Sequence, residues 1–223
     1  MRHDRTDPDY RTWLDQLFEH SDDEPEWYFS DDFEFIEISP RTLTAHVLRL
    51  FQAPALLMTD YSDRQIASGL KCLIDNACGG DIRLVSHPAI PQSDRLELAA
   101  RIDRVYAQIF AARCAPALGN LSEGAEHPLN MLCYMWWDAI VFDTTGDARL
   151  DREFFAALIE AMGRTLAIPH PACQEGALHG LGHWGEHAPD RVQELIDMFL
   201  SENRAARPEL VTYARAARGG CIQ

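Results

Sequence analysis

Apolar residues recur every three or four positions along most of this chain, and prolines, glycines or polar turns separate the runs. This spacing places apolar side chains on one face of a helix and predicts about nine helices of roughly 10–20 residues. Ser39-Pro40, and Ser62 with Gln65 three positions later, are typical helix starts. The predicted segments begin near Tyr10, Ser39, Ser62, Ser93, Pro128, Phe154, Cys173, Pro189 and Pro208.

Residues 27–39 depart from helical spacing, because Phe33 and Phe35 alternate with acidic positions. The alternation is compatible with one extended segment, although a lone strand has no visible partner elsewhere in the chain. We therefore predict an all-α fold of irregularly stacked helical hairpins joined by short turns. We expect one domain over residues 1–223, in which residues 1–40 form an acidic N-terminal section.

The segment from Cys173 to Asp190 holds three histidines at a strict four-residue spacing. Residues four apart lie above one another on the same helix face. On a continuous helix they would form a polar stripe beside an apolar one. The polar stripe consists of Glu175, His179, His183, Glu186 and His187.

Two interpretations of these histidines differ in chemistry. Two imidazoles at positions i and i+4 can chelate one divalent ion, so His179, His183 and His187 are candidate metal ligands. Such a site needs a ligand from a second element, and Asp138, His127 and His170 are the candidates. Alternatively, the histidines donate hydrogen bonds inside a tightly packed helix. We favour the packing interpretation, with no bound metal or cofactor, because packing motifs are commoner than metal sites.

Small residues in the same segment also predict close packing. Glycine costs about 1 kcal/mol relative to alanine inside a helix, so Gly176 and Gly180 call for a reason. Close approach of a neighbouring helix is the simplest one. Trp136 and Trp137 are adjacent and point about 100° apart on a helix. Only one can point straight into the core, and we expect the other at a helix–helix groove or a partner surface, with core packing favoured over an interface role.

Residues 172–200 resemble one HEAT-like helical repeat, through Ala177-Leu-His-Gly-Leu-Gly-His183 and the following Arg191-Val-Gln-Glu-Leu195. The resemblance implies an α-solenoid that binds proteins along a concave surface, and it carries over no catalytic residue. The candidate binding surface then comprises Glu175, His179, His183, Trp184, Glu186 and Trp137.

The chain is strongly acidic, with 35 acids against 20 bases and a formal net charge of −15. Residues 1–40 contain 13 acids and 3 bases, and Lys71 is the only lysine of the chain. An acidic chain without a basic patch binds nucleic acid and anionic membranes poorly. We expect a protein partner, basic in character.

Motifs for common enzyme chemistry are missing from the sequence: it contains no G-x-S-x-G, no phosphate-binding loop and no dinucleotide fingerprint. The six cysteines are dispersed, without C-x-x-C spacing, which favours reduced thiols and a cytoplasmic protein. No signal peptide or membrane span is expected.

These patterns predict a non-enzymatic adaptor, or an inhibitor or immunity-type protein whose acidic surface covers a basic partner. The alternative is a metal-binding protein or metal-dependent hydrolase that uses the histidines of the central segment. Metal analysis of the purified protein separates the two.

Overall fold

The described part of the chain, in a computed structural model, comprises residues 8–120, 127–203, 206–220 and 222. Helices dominate it, no β-strand occurs within it, and Asp75 and Ile140 form an isolated bridge. The all-α prediction is therefore confirmed. The α-helices are α1 (Tyr10–Phe18), α2 (Pro40–Gln52), α3 (Leu57–Asp60), α4 (Asp63–Ile74), α5 (Gln92–Val105), α6 (Ala111–Arg113), α7 (Pro128–Ala139), α8 (Ala148–Leu166), α9 (Pro171–Trp184), α10 (Pro189–Glu202) and α11 (Pro208–Arg218).

The longer helices match the predicted segments, and α3 and α6 are short additions of four and three residues. A π-helical stretch, Tyr106–Phe110, joins α5 to α6, so these three pieces follow one another without a break. The predicted helix starts are also confirmed. Ser39 accepts from the backbone N–H of Thr42, and Ser62 and Gln65 form a reciprocal capping box.

Residues 27–39 do not form the strand that their alternation is compatible with. Trp27–Phe29 is a short 3-10 helix, and the following residues have no regular structure. A single strand would leave its backbone hydrogen-bonding groups without a ladder partner. The aromatic rings pack on one another instead, with Trp27 stacked on His20 at a centroid distance of 3.7 Å.

The helices pack in two series. In the first, α1 contacts α4, α4 contacts α7, α7 contacts α9, and α9 contacts α11; in the second, α2 contacts α5 and α5 contacts α8. One cluster of buried apolar side chains extends from Trp13 in α1 to Ala217 in α11. A HEAT-like solenoid stays a prediction, as does the single domain.

Five cysteines are buried free thiols: Cys72, Cys78, Cys114, Cys133 and Cys173. Cys221 and residues 1–7 lie outside the described residues. Among the helices of the described ranges, none combines the length and apolar character needed to cross a bilayer.

Candidate functional sites

Two glycines bring α7 and α9 into close contact. A Cβ atom at Gly180 would lie 2.5 Å from Cγ of Trp137, and one at Gly176 would overlap the backbone oxygen of Cys133. Carbon atoms do not approach this closely, so only glycine fits at both positions. The predicted close packing is confirmed, and it allows side chains from the two helices to form one site.

Asp138, His179 and His183 form such a site, which we call the Asp-His-His cluster. Asp138 lies in the last turn of α7, and both histidines project from α9. Nε2 of His179 is 3.0 Å from one carboxylate oxygen of Asp138, and Nε2 of His183 is 3.4 Å from the other. Within the described ranges this is the one group of three metal-ligating side chains whose ligand atoms all lie within 4.8 Å.

His179 is held on both ring nitrogens. Nδ1 is 2.6 Å from the hydroxyl of Tyr213 in α11, and that hydroxyl is 3.3 Å from the hydroxyl of Tyr134 in α7. The His179 side chain is 2% exposed. Burial lowers the pKa of His179, and the hydrogen bond with Asp138 opposes the effect without reversing it. A neutral imidazole at pH 7 follows, as expected for a buried histidine.

The predicted polar stripe does not continue beyond His183. Because α9 ends at Trp184 and a 3-10 turn follows, His187 turns away and stacks on Phe155 at a centroid distance of 4.3 Å. Glu175 is fully buried and accepts hydrogen bonds from the backbone N–H groups of Gly119 and Asn120. His187 and Glu175 therefore lie outside the cluster, and Asp138 is its third member.

The other two candidate ligands from a second element lie elsewhere. Nε2 of His127 is 3.4 Å from a carboxylate oxygen of Asp63. His170 interacts with Cys173, and this hydrogen bond raises the pKa of His170. Of the three sequence candidates, the structure brings only Asp138 to the histidines of α9.

The candidate binding surface needs correction, because half of its residues are inside the protein. Glu175, His179 and Trp137 are buried, and Trp137 stacks on Tyr106 with parallel rings. Trp136 is buried as well, so neither tryptophan faces a partner. Trp184 is half-buried and donates to the backbone oxygen of Trp137 at 2.9 Å. Only His183 and Glu186 of the proposed set are exposed.

Tyr134 and Tyr213 support the cluster and were not predicted. Tyr134 stands four residues before Asp138 on α7, so helical spacing alone could have placed it on the same face. Tyr213 follows His179 by 34 residues, and no local pattern connects the two.

A cleft of about 1080 Å³ opens beside Asp138. It lies between α4, α7 and the segment before α2. Lys71 is among the residues that line it. Met131 and Met135 of α7 give the cleft an apolar side. Glu26 and Tyr28, which precede α2 in the chain, also line the cleft. The cluster therefore lies at the edge of the space that the acidic N-terminal section also lines.

That section presents exposed phenylalanines among carboxylates. Phe29 and Phe35 are 57% and 41% exposed, and residues 12–40 contain ten acids and no lysine or arginine. Phe33 packs between Trp27 and Phe35 at centroid distances of 4.6 and 5.0 Å. We call residues 22–37 the acidic aromatic surface. All eight of its acidic residues are exposed: Asp22, Asp23, Glu24, Glu26, Asp31, Asp32, Glu34 and Glu37.

Two features of the described residues thus have the chemistry of a functional site. The Asp-His-His cluster can hold a cation, and the acidic aromatic surface can receive another protein. Asp138 of the cluster and Glu26 and Tyr28 of the surface line the same cleft. No protein-family model, curated protein or solved structure matches this chain.

Proposed function

We propose that this chain is a protein-binding protein that engages a basic partner through the acidic aromatic surface. One observation carries the proposal. Phe29 and Phe35 expose their rings within a stretch that has ten acids and no lysine or arginine. Large exposed apolar side chains grouped together and rimmed by polar ones are typical of interaction sites.

Charge decides which kind of partner fits. Eight exposed carboxylates around two phenylalanines repel a second copy of the same surface and repel a phosphate backbone. A partner rich in arginine or lysine gains from both features, because cations pair with carboxylates and also interact favourably with aromatic rings. The function is therefore that of an adaptor or of an inhibitor that covers a basic surface.

The aromatic packing favours a preformed site over a flexible arm. Tyr28 is buried under Phe29, with ring centroids 4.9 Å apart, and Phe33 supports Phe35. Rings held in place before binding lose less conformational entropy when the complex forms.

Removing both exposed rings tests the proposal. The probe is a fluorescent peptide of alternating arginine and phenylalanine, and its charge-reversed form contains glutamate instead of arginine. We expect Phe29→Ser combined with Phe35→Ser to weaken binding of the arginine peptide at least tenfold, measured by fluorescence anisotropy. Because both side chains are exposed, the circular dichroism spectrum stays unchanged. Affinity for the arginine peptide falls as salt is raised.

Met198→Ser is the matched control, because Met198 is also exposed but lies on α10, far along the chain. It leaves affinity unchanged. The wild type and the double variant are then used side by side to capture proteins from a lysate of the source cell. The natural partner is expected to be a basic protein that the wild type captures and the double variant does not. Equal affinity of the wild type and the double variant for the arginine peptide would exclude this surface as the binding site.

A further inference from the structure

We propose that Asp138, His179 and His183 bind one divalent transition-metal ion, with an open coordination position on the solvent side. This site goes beyond protein binding, and it does not depend on the acidic aromatic surface. Three side chains from two helices converge, and two of them stand one helical turn apart on α9. That spacing directs two imidazoles toward the same point.

The distances within the cluster fit ligands of one ion. In a tetrahedral zinc site with bonds of about 2.0–2.1 Å, neighbouring ligand atoms lie about 3.3 Å apart. The two nitrogen–oxygen distances, which run to different carboxylate oxygens of Asp138, are 3.0 and 3.4 Å. All three ligand atoms lie within 4.8 Å of one another, so side-chain rotation brings them around one ion.

The contact between His183 and Asp138 is also compatible with two ligands of one ion. At 3.4 Å the Nε2 of His183 is farther from Asp138 than an ordinary N–H···O hydrogen bond allows. The same separation is normal for two ligands of one ion. His183 belongs to the arrangement geometrically although no good hydrogen bond holds it there.

Tyr213 supplies the support that metal-binding histidines require. When Nε2 of His179 is the ligand, the ring proton sits on Nδ1 and donates to the Tyr213 oxygen, 2.6 Å away. The Tyr213 hydroxyl then donates to that of Tyr134. Such partners fix the tautomer and orientation of the ligand, and losing one typically weakens metal binding about 10–100-fold.

An ion can reach this site from solvent. The side chains of His183 and Asp138 are 37% and 31% exposed, whereas His179 closes the inner side. Three protein ligands leave a fourth position for water, next to the cleft that Asp138 lines. Two imidazoles and one carboxylate suit zinc, cobalt or iron, and they do not suit calcium or magnesium, which prefer oxygen ligands.

Calorimetric titration of the chelator-treated full chain with Zn²⁺ tests the site. We expect one Zn²⁺ per chain and no measurable binding of Mg²⁺. His183→Ala and Asp138→Ala each weaken Zn²⁺ binding at least tenfold. His187→Ala is the matched control, because His187 follows His183 by four residues but stacks on Phe155, outside the cluster. It binds Zn²⁺ like the wild type.

Substitution with Co²⁺ gives a second, spectroscopic measurement. Coordination by two nitrogens and a carboxylate produces visible absorption bands, which disappear in His183→Ala and persist in His187→Ala. Tyr213→Phe keeps the bands but weakens Co²⁺ binding, because the Nδ1 proton loses its acceptor. Circular dichroism shows that each variant is folded.

Two results would overturn the proposal. One is the absence of stoichiometric Zn²⁺ binding to the folded wild type. The other is equal affinity in His183→Ala and His187→Ala, which would place any bound ion elsewhere. Neither result bears on the arginine peptide, so failure here is distinct from failure of the protein-binding function.

Discussion

At the scale of single residues, burial decides the behaviour of the cluster more than charge does. His179 lies beside the carboxylate of Asp138, which favours the protonated ring, yet burial lowers its pKa overall. The protein interior between the packed helices excludes water and so destabilises the charged imidazolium. This effect is larger than the stabilisation that the one partly exposed carboxylate provides. His179 therefore acts as a neutral side chain that can bind a proton donor, a proton acceptor or an ion.

This balance predicts a pH dependence for metal-free protein. The pKa of His179 should lie below the ~6.5 of a free imidazole, measured from its ring signals by NMR and assigned by their loss in His179→Gln. The unfolded chain then takes up a proton at higher pH than the folded chain does. The free energy of unfolding contributed by His179 is present at neutral pH and is lost as pH falls from about 6.5 toward the folded value. A midpoint above 6.5 would mean that pairing with Asp138 outweighs burial.

Substitution of Leu181 tests which face of α9 is buried. Its side chain is fully buried in the core. Leu181→Ala should lower the free energy of unfolding by ~2–5 kcal/mol, because it removes apolar contacts and leaves a cavity. Urea denaturation measures the loss. A change below about 1 kcal/mol would show that Leu181 does not lie on the buried face of α9.

At the scale of elements, α9 is central because small residues let other helices approach it. It contacts α7, α8 and α11, and Gly176 and Gly180 form the contact with α7. Helix propensity alone disfavours these glycines. Packing overrides propensity here, and the same close approach brings Asp138 to the two histidines.

Two glycine-to-alanine substitutions on one segment separate packing from propensity. Gly180→Ala should destabilise the protein by ~1–3 kcal/mol, since its methyl group overlaps Trp137. Gly185→Ala meets only ordinary contact, with Cγ1 of Val192 at 3.7 Å, and should be neutral or slightly stabilising. Thermal unfolding of both variants gives the comparison. Similar melting temperatures would show that α7 can move away from α9 at little cost.

At the scale of the whole molecule, local sequence patterns predicted the helices but not the contacts between them. Periodicity and capping residues located the long helices, because those signals lie within a few neighbouring residues. The pairing of His179 with Tyr213, and of Glu175 with the backbone of Gly119, joins segments far apart in the chain. A single sequence carries no such information. Asp138 was among several candidates, and only packing selected it.

The position of Lys71 gives the molecule an unusual chemical property. All lysines and arginines of the chain other than Lys71 are arginine, so Lys71 carries the one side-chain amine in this sequence. It lies in the cleft that Asp138 and Tyr28 also line. Among the side chains of this sequence, amine-directed reagents therefore react with Lys71 alone. A short amine-reactive crosslinker becomes a reporter of occupancy, because any molecule that it joins to Lys71 was bound within the length of the crosslinker from this cleft.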